Sequence, residues 1–128
     1  MDILVDTHAL IWMSSQPQRL SPRAVSLLED ETNTVFSSMI SFWEIAIKTS
    51  LGKLELGSDW MPRLHGFMRD NAVEYLPLRT EHCTMLASLP FHHRDPFDRM
   101  LVAQAQSEKL VLVSKDKRLQ DYAVEIVW

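Results

Sequence analysis

The sequence predicts an α/β fold, a three-layer α/β/α sandwich around a central, mainly parallel sheet. Two observations carry this prediction. Short apolar runs with β-branched residues, typical of buried strands, recur along the chain, and segments with helical periodicity lie between them. Strands that alternate with helices are joined by crossovers and therefore pair in parallel. Residues 1–128 contain no repeat, low-complexity segment or linker, and we expect them to form one domain.

The first half of the chain is expected to hold two strands and three helices. Ser21 followed by Pro22 is typical of a helix cap with proline at the first helical position. Ser41 and Glu44 match the capping box of a further helix, which Gly52 would end. The predicted elements are a strand at 2–6, a helix at 8–14, a helix at 22–31, a strand at 34–37 and a helix at 41–51.

The second half continues the alternation of strands and helices. Asp95 followed by Pro96 repeats the pattern of a capping residue and an initial proline, and it predicts the start of a long helix. The loop before it carries His92 and His93. The predicted elements are helices at 60–71, 80–88 and 96–108, strands at 73–76, 110–113 and 124–127, and a helical turn at 117–122.

Composition describes an ordinary globular protein, with 46% hydrophobic and 23% charged residues. With a net charge of −4, the chain lacks the excess of basic residues that is typical of proteins that bind duplex DNA tightly. A single cysteine, Cys83, excludes an internal disulfide and fits a reducing compartment. No apolar stretch approaches the length of a membrane span, and the first residues lack the pattern of a signal peptide. We therefore expect a cytoplasmic protein without membrane contact.

Four carboxylates occupy positions that this fold would bring together. Asp6 and Asp116 follow predicted strands, whereas Glu44 and Asp98 fall in the first turns of predicted helices. Ligands in open parallel sheets bind at the carboxyl ends of the strands, and clustered carboxylate oxygens are what Mg²⁺ requires. Without these four residues the 17 acidic side chains fall to 13, which equals the 13 basic ones. The excess negative charge is therefore expected to belong to one pocket.

Each acid also has a structural explanation when it is taken alone. Asp6 and Asp116 could be turn or cap residues. Glu44 could complete a capping box and pair with Lys48, four residues on. Asp98 could be a capping-box partner. Asp95 is interpreted as the helix cap rather than as a ligand.

Four segments carry a resemblance to a known family. They are ILVDTHA at 3–9, SFWEIAIK at 41–48, DPFDRMLVAQA at 95–105 and VSKD at 113–116. In this order and at this spacing they resemble the signature segments of the PIN domain family, and the DPFDR segment is similar to VapC-type toxins of bacterial toxin–antitoxin pairs. The resemblance implies a PIN-like fold and a Mg²⁺- or Mn²⁺-dependent ribonuclease whose catalytic and metal-binding acids are Asp6, Glu44, Asp98 and Asp116.

The resemblance also implies partners. VapC-type proteins form dimers, and a small antitoxin of VapB type holds them inactive by wrapping an apolar groove. In this chain the corresponding apolar segment would run from Trp12 through the predicted helices at 22–31 and 41–51. The expected partners are an RNA substrate, a VapB-type antitoxin and a second copy of the chain.

The expected chemistry is hydrolysis of a phosphodiester bond. One or two Mg²⁺ ions would lower the pKa of bound water and neutralise phosphate oxygens, so that no side-chain nucleophile is needed. The chain has no serine or cysteine arrangement of triad type. Nothing in the sequence specifies which RNA would be cut.

Several further residues lie near the four acids in sequence. Thr7 and Ser114 stand beside strand-end acids and could hydrogen-bond a ligating carboxylate, although local turn bonding explains a hydroxyl equally well. Basic residues flank the acids and could contact an RNA backbone, with solvated surface charge as the alternative. These residues are Arg94, Arg99 and Lys115. Zinc binding by His92 and His93 is disfavoured because no second pair of soft ligands follows at zinc spacing.

Two other functions compete with a nuclease. A phosphoacceptor signalling domain also has an acidic Mg²⁺ pocket, but it would need adjacent acids after the first strand and an aspartate at the end of a central strand. Asp6 has no acidic neighbour, and the second and third predicted strands end in FS and LP. A non-catalytic RNA-binding or scaffold module is the other alternative, and the presence of all four acids argues against it.

Overall fold

Five parallel strands form the central sheet of the computed structural model, which describes residues 1–128. The strands are β1 (Asp2–Val5), β2 (Thr34–Ser38), β3 (Val73–Leu76), β4 (Val111–Val113) and β5 (Ile126–Val127), in the order β3-β2-β1-β4-β5. Val5 lies opposite Ser37 on one side and Val113 on the other. The carboxyl ends of the three central strands therefore meet at one edge, as the sequence predicts for a parallel sheet.

Six α-helices and two short 3₁₀ turns connect the strands. The helices are α1 (Thr7–Ser15), α2 (Pro22–Glu29), α3 (Met39–Ser50), α4 (Trp60–Asp70), α5 (Thr80–Ser88) and α6 (Pro96–Glu108). The 3₁₀ turns are Pro17–Arg19 and Lys117–Asp121. None of the helices combines the length and the apolar character that crossing a membrane requires.

The sheet is covered by helices on both faces, which confirms the three-layer sandwich. Alternate residues of β1 point to opposite faces, so that Ile3 and Val5 enter one apolar cluster and Leu4 enters the other. Helices α1, α2 and α4 complete the first cluster with side chains that include Leu10, Ala24 and Leu64. Helix α6 supplies much of the second, including Leu101 and Val102. Each fully buried leucine or isoleucine contributes roughly 1.5–3 kcal/mol to folding.

The predicted helix starts at Pro22 and Pro96 are confirmed. The Ser21 hydroxyl accepts a 3.0 Å hydrogen bond from the backbone N–H of Ala24. The Asp95 carboxylate accepts hydrogen bonds from the N–H groups of Phe97 and Asp98, at 2.8 and 3.2 Å. Asp95 is therefore the cap of α6, as its position before a proline indicates.

The predicted start of α3 at Ser41 is wrong. Ser38 is the cap, because its extended backbone directly ends β2 and its hydroxyl accepts a 3.0 Å hydrogen bond from the N–H of Ile40. Ser41 lies in the first turn and is buried, while Glu44 lies in the second turn. Glu44 is thus too far from the helix start to complete a capping box, and its side chain is available for another contact.

Candidate metal centre

Two of the predicted acids lie where neighbouring strands end. Asp6 directly follows β1, and its backbone N–H donates a 3.0 Å hydrogen bond to the carbonyl of Val113 at the end of β4. Its carboxylate caps α1 by accepting a 2.8 Å hydrogen bond from the N–H of Ala9. Asp116 follows β4 and caps the turn at 117–121. Both acids therefore reach the same edge of the sheet while also serving as caps.

Glu44 enters this edge from α3 and is 2% exposed. One carboxylate oxygen, Oε1, accepts a 2.6 Å hydrogen bond from the Thr7 hydroxyl, and Oε2 accepts one from the Lys48 ammonium. The predicted pairing with Lys48 is confirmed. The Thr7 hydroxyl also lies 2.9 Å from the Ser41 hydroxyl, so that α3 and the start of α1 are joined directly behind the acids.

Asp98 is the acid on which the charges of the other three act. Burial, as the largest cause, and the negative charges of Asp95, Glu44, Asp6 and Asp116 together raise the pKa of Asp98 to about 7. The charges of the other three predicted acids therefore act on Asp98. Of the four acids, only Asp98 and Asp116 belong to a group of ligand atoms that all lie within 4.8 Å of one another.

Asp6 shares this environment. Burial raises its pKa, contacts from the Ser114 hydroxyl and the Ala9 N–H lower it, and the charge of Glu44 raises it, with a net upward shift. Ser114 also accepts a 3.1 Å hydrogen bond from the N–H of Asp116. The hydroxyl of Ser114 thus lies between the two acids that follow the strands.

The pKa of Asp116 is shifted in the opposite direction. Its partial burial raises the pKa, but hydrogen bonds from the side chain and backbone of Arg118 and from His93 outweigh burial and lower it to about 2. Arg118 binds both carboxylate oxygens, with Nε 3.0 Å from Oδ1 and Nη2 3.0 Å from Oδ2. The guanidinium is otherwise exposed. Arg118 was not predicted from the sequence, because the turn at 117–121 determines which side chain folds back onto the acid.

His93 is the second residue at the site that the sequence analysis misses. It is buried, and its Nε2 lies 2.9 Å from Oδ2 of Asp116 and 3.3 Å from Oδ2 of Asp98. One nitrogen of His93 and one oxygen of each acid all lie within 4.8 Å of one another. In the sequence, His93 was considered only as a zinc ligand, together with His92. Its place two residues before the cap of α6 is the signal that could have indicated it.

The supporting residues differ in where they lie. Thr7 contacts Glu44, and Ser114 contacts Asp6, so both lie against the acids as expected. Arg94 and Lys115 are exposed, and the Lys115 ammonium lies 5.9 Å from the centre of the Trp12 ring. The expected contacts of Arg94 and Lys115 with RNA therefore stay predictions.

Arg99 does not fit its expected role as an RNA contact. It is 6% exposed, and its guanidinium donates hydrogen bonds to the carbonyls of Pro90 and Leu89, at 3.0 and 3.4 Å. It also lies 3.9 Å from the centre of the Phe91 ring. Arg99 points inward because it follows Asp98 by one residue on α6 and so faces the loop at 89–94. It holds this loop in place.

The donor set fits a hard divalent cation. The convergent groups are carboxylates, which suit Mg²⁺ or Mn²⁺ better than soft metals. The cationic side chains bonded to them are Lys48 on Glu44 and Arg118 on Asp116. No lysine or arginine forms an ion pair with Asp6 or Asp98, and burial raises the pKa of both. A bound divalent cation would supply the missing positive charge.

Fold and site together define an α/β domain with acidic residues at the carboxyl edge of a parallel sheet. Residues 3–125 match the PIN domain family, to which this chain belongs. It is 28% identical over 123 residues to Ribonuclease VapC22 of Mycobacterium tuberculosis, a match that covers 94% of this chain and 91% of that protein. The resemblance noted in the sequence is therefore confirmed.

Solved structures share the fold at low sequence identity. A chain of VapBC2 from Rickettsia felis, crystallised with a DNA fragment from its promoter, superposes with a TM-score of 0.74 at 13% identity over 99% of this chain and 98% of that one. DNA-bound VapBC from Salmonella typhimurium gives a TM-score of 0.69 at 16% identity over 99% and 97% of the two chains. FitAcB from Neisseria gonorrhoeae gives 0.64 at 20% identity over 100% and 97%. These similarities establish the PIN-like fold.

Proposed function

We propose that this protein is a divalent-metal-dependent endoribonuclease and the toxin of a VapBC-type toxin–antitoxin pair. The observation that carries the proposal is the convergence of Asp6, Glu44, Asp98 and Asp116 at one edge of a PIN-like sheet. The similarity over almost the whole chain to a protein named as a ribonuclease supports the same activity.

The four acids would hold the cation, with Mg²⁺ or Mn²⁺ as the expected ions. A cation bound there supplies an activated water and neutralises charge on the phosphate. Neighbouring groups of the protein orient the acids. Thr7 and Lys48 fix the two oxygens of Glu44, and the cap of α1 fixes Asp6. Rigid elements therefore hold the acids before any ligand arrives.

The expected antitoxin has a candidate binding surface. An open groove of about 610 Å³ lies beside the amino ends of β2 and β3. Its lining includes the apolar side chains of Leu20, Val25, Leu28 and Phe67, and its acidic residues are Glu29, Asp30, Glu31 and Asp70. Such a groove suits an apolar segment with basic flanks. Helices α2 and α4, with the segment that follows α1, contribute its lining. The groove expected from the sequence runs from Trp12 through α2 and α3, and the place of an antitoxin on this chain stays a prediction. Two further solved structures with this fold are named as toxin–antitoxin proteins, a VapBC family member from Mycobacterium tuberculosis and a complex from Klebsiella pneumoniae, which supports a partner of this kind.

A homodimer is part of the same proposal. Helix α3 exposes Met39 and Trp43, at 42% and 58%, on one side of the helix that carries Glu44. A second copy of the chain would cover these apolar side chains. Light scattering on the purified protein tests this expectation, with a mass of twice 14.8 kDa as the predicted result and a mass of one chain as the contradicting one. The proposed location is the cytoplasm, where its RNA substrate would be found.

The competing functions are less well supported. A phosphoacceptor domain would need adjacent acids after the first strand, but Asp6, which follows the middle strand β1, lies between Val5 and Thr7. A non-catalytic scaffold would not need acids held so close that burial and neighbouring charge raise the pKa of Asp98 to about 7. Labelling with acetyl phosphate tests the first alternative, and the expected result is no incorporation.

Incubation with labelled RNA separates a nuclease from a scaffold. We expect cleavage in Mg²⁺ or Mn²⁺, no cleavage in EDTA, and recovery when the cation is returned in excess. RNA that is bound but intact under all three conditions would favour the scaffold. The upstream reading frame gives an independent check, since a short gene encoding a DNA-binding fold with a disordered tail is expected there.

A further inference from the structure

His93 forms three hydrogen bonds, and its ring also lies close to a second carboxylate. Its backbone N–H donates to the Tyr122 hydroxyl at 3.1 Å. On the ring, Nδ1 accepts a 3.0 Å hydrogen bond from the backbone N–H of Asp95. Nε2 contacts Oδ2 of Asp116 at 2.9 Å and Oδ2 of Asp98 at 3.3 Å. The side chain is only 4% exposed, so that water does not compete for these bonds.

The partner of Nδ1 determines which ring nitrogen carries the proton. A backbone N–H can only donate, so Nδ1 must be an unprotonated acceptor. The proton of the neutral ring then lies on Nε2, which makes Nε2 the donor of the hydrogen bond to Asp116 and places its N–H 3.3 Å, measured from the nitrogen, from Oδ2 of Asp98. Coordination of a metal by Nε2 would require this proton to move to Nδ1. There it would face the N–H of Asp95, donor against donor.

We propose that His93 is a positioning residue that holds Asp116 by a hydrogen bond from its Nε2–H, lies between Asp116 and Asp98, and does not itself bind the metal. Asp98 comes from α6 and Asp116 from the segment after β4, and both carboxylates lie against the same ring nitrogen. Two negative groups repel, and an N–H that lies beside both of them offsets part of that repulsion. This inference rests on the proposed metal centre and adds the residue that sets the distance between two of its acids.

Asp95 positions both His93 and Asp98. Its backbone N–H orients the His93 ring, and its carboxylate caps the helix that carries Asp98. The loop before it is fixed by Arg99, which binds the carbonyl of Pro90, and by the Tyr122 hydroxyl. Residues 93–98 therefore form one unit, in which Asp95 both caps α6 and orients the His93 ring.

Which nitrogen of the His93 ring carries the proton can be measured directly in the metal-free protein. Nitrogen NMR of ¹⁵N-histidine-labelled protein is expected to show His93 with a protonated Nε2 and an unprotonated Nδ1. Pulsed EPR of the Mn²⁺-loaded protein is expected to show no nitrogen coordinated to the ion. A protonated Nδ1 in the metal-free protein, or a coordinated nitrogen that disappears in His93→Gln, would overturn the proposal. Neither measurement involves RNA, so a failure of the proposed ribonuclease activity would be recognised separately.

A matched pair of variants tests the positioning role. The amide nitrogen of glutamine reaches the place of Nε2, whereas asparagine puts its amide oxygen at the place of Nδ1. By titration with Mn²⁺, we expect His93→Asn to weaken binding about tenfold or more and His93→Gln to stay within about threefold of the parent protein. Thermal melting confirms that both variants fold. Equal Mn²⁺ affinity in the parent and both folded variants would contradict the role, and if either variant fails to fold the NMR experiment still decides.

Discussion

The Thr7 hydroxyl donates a 2.6 Å hydrogen bond to Oε1 of Glu44, and so connects the first residue of α1 to the second turn of α3. The two residues are separated by 37 positions in the chain. Both are almost fully buried, at 4% and 2% exposure. The bond therefore fixes an acid from one element against the backbone of another, and it explains why Glu44 can be held beside Asp6 without a metal ion of its own.

Thr7→Val should weaken the metal centre while keeping the shape of the side chain. The substitution removes a donor from a buried carboxylate, and supporting hydrogen bonds of this type typically change metal affinity by about tenfold or more. Isothermal titration with Mn²⁺ measures the effect. Thr7→Ser, which retains the hydroxyl, is the matched control and should bind nearly as tightly as the parent. Identical affinities for the valine and serine variants would show that the hydroxyl does not support the site.

Arg118→Gln should tighten Mn²⁺ binding in the absence of RNA. The guanidinium occupies both oxygens of Asp116, and a cation must compete with it for the same carboxylate. Because Arg118 is largely exposed, we expect a modest change of about two- to tenfold. Arg94→Gln is the control, since Arg94 is exposed and forms no hydrogen bond or ion pair. Weaker binding in Arg118→Gln would mean that the arginine helps to hold Asp116 in its metal-binding position.

Ser38→Ala should destabilise the protein by about 1 kcal/mol, within a range of roughly 0.5–2 kcal/mol for lost caps. The hydroxyl caps α3 and also donates to Oε1 of Gln104 at 2.5 Å, so two contacts are lost together. Urea denaturation monitors the free energy of unfolding. Ser50→Ala, at the exposed end of the same helix, should change it by a few tenths of a kcal/mol. A larger loss in the Ser50 variant than in the Ser38 variant would argue against Ser38 as the cap.

The metal-free protein should become less stable as the pH rises from about 4 to 7. The pKa of Asp98 is raised from 3.8 to about 7 on folding, so the folded state binds more protons than the unfolded state across this interval. The free energy of unfolding therefore falls with rising pH, by at most about 4 kcal/mol from this residue. The raised pKa of Asp6 acts in the same direction. Asp116, with its pKa lowered from 3.8 to about 2, has the opposite effect and changes stability mainly below this interval.

Urea denaturation in EDTA at several pH values tests this dependence. Asp98→Asn should remove most of the loss and should be more stable than the parent protein at pH 7. Asp2→Asn, at the exposed opposite end of β1 from Asp6, should keep the loss. An unchanged pH dependence in Asp98→Asn would contradict the assignment of the raised pKa to this residue.

Much of the fold follows from local signals in the chain. Apolar runs such as Ile3–Val5 identify the strands because a parallel sheet buries both faces, and the paired cap and proline at Ser21–Pro22 and Asp95–Pro96 identify two helix starts. The start of α3 was misplaced because Ser38 is both the last residue of a strand and a helix cap. Serine at two nearby positions fits either start, and only the end of β2 decides between them.

The candidate site was predictable where it depends on strand ends and less so where it depends on loops. The convergence of Asp6 and Asp116 follows from parallel pairing of β1 with β4. The contacts of His93 and Arg118 depend on the paths of the loop at 89–94 and the turn at 117–121, for which the sequence contains no comparable pattern. Arg99 was expected at the surface because arginine usually lies there, but the carbonyls of the 89–94 loop draw it inward.

Cleavage of labelled RNA by the parent protein, Asp6→Asn and Asp98→Asn in Mg²⁺ tests the central claim most directly. Each substitution keeps the size of the side chain and removes one carboxylate from the metal centre. We expect the parent and the control Asp2→Asn to cleave, and both site variants, folded by thermal melting, to lose about a hundredfold or more of the rate. Cleavage at the parent rate by both site variants would contradict the account.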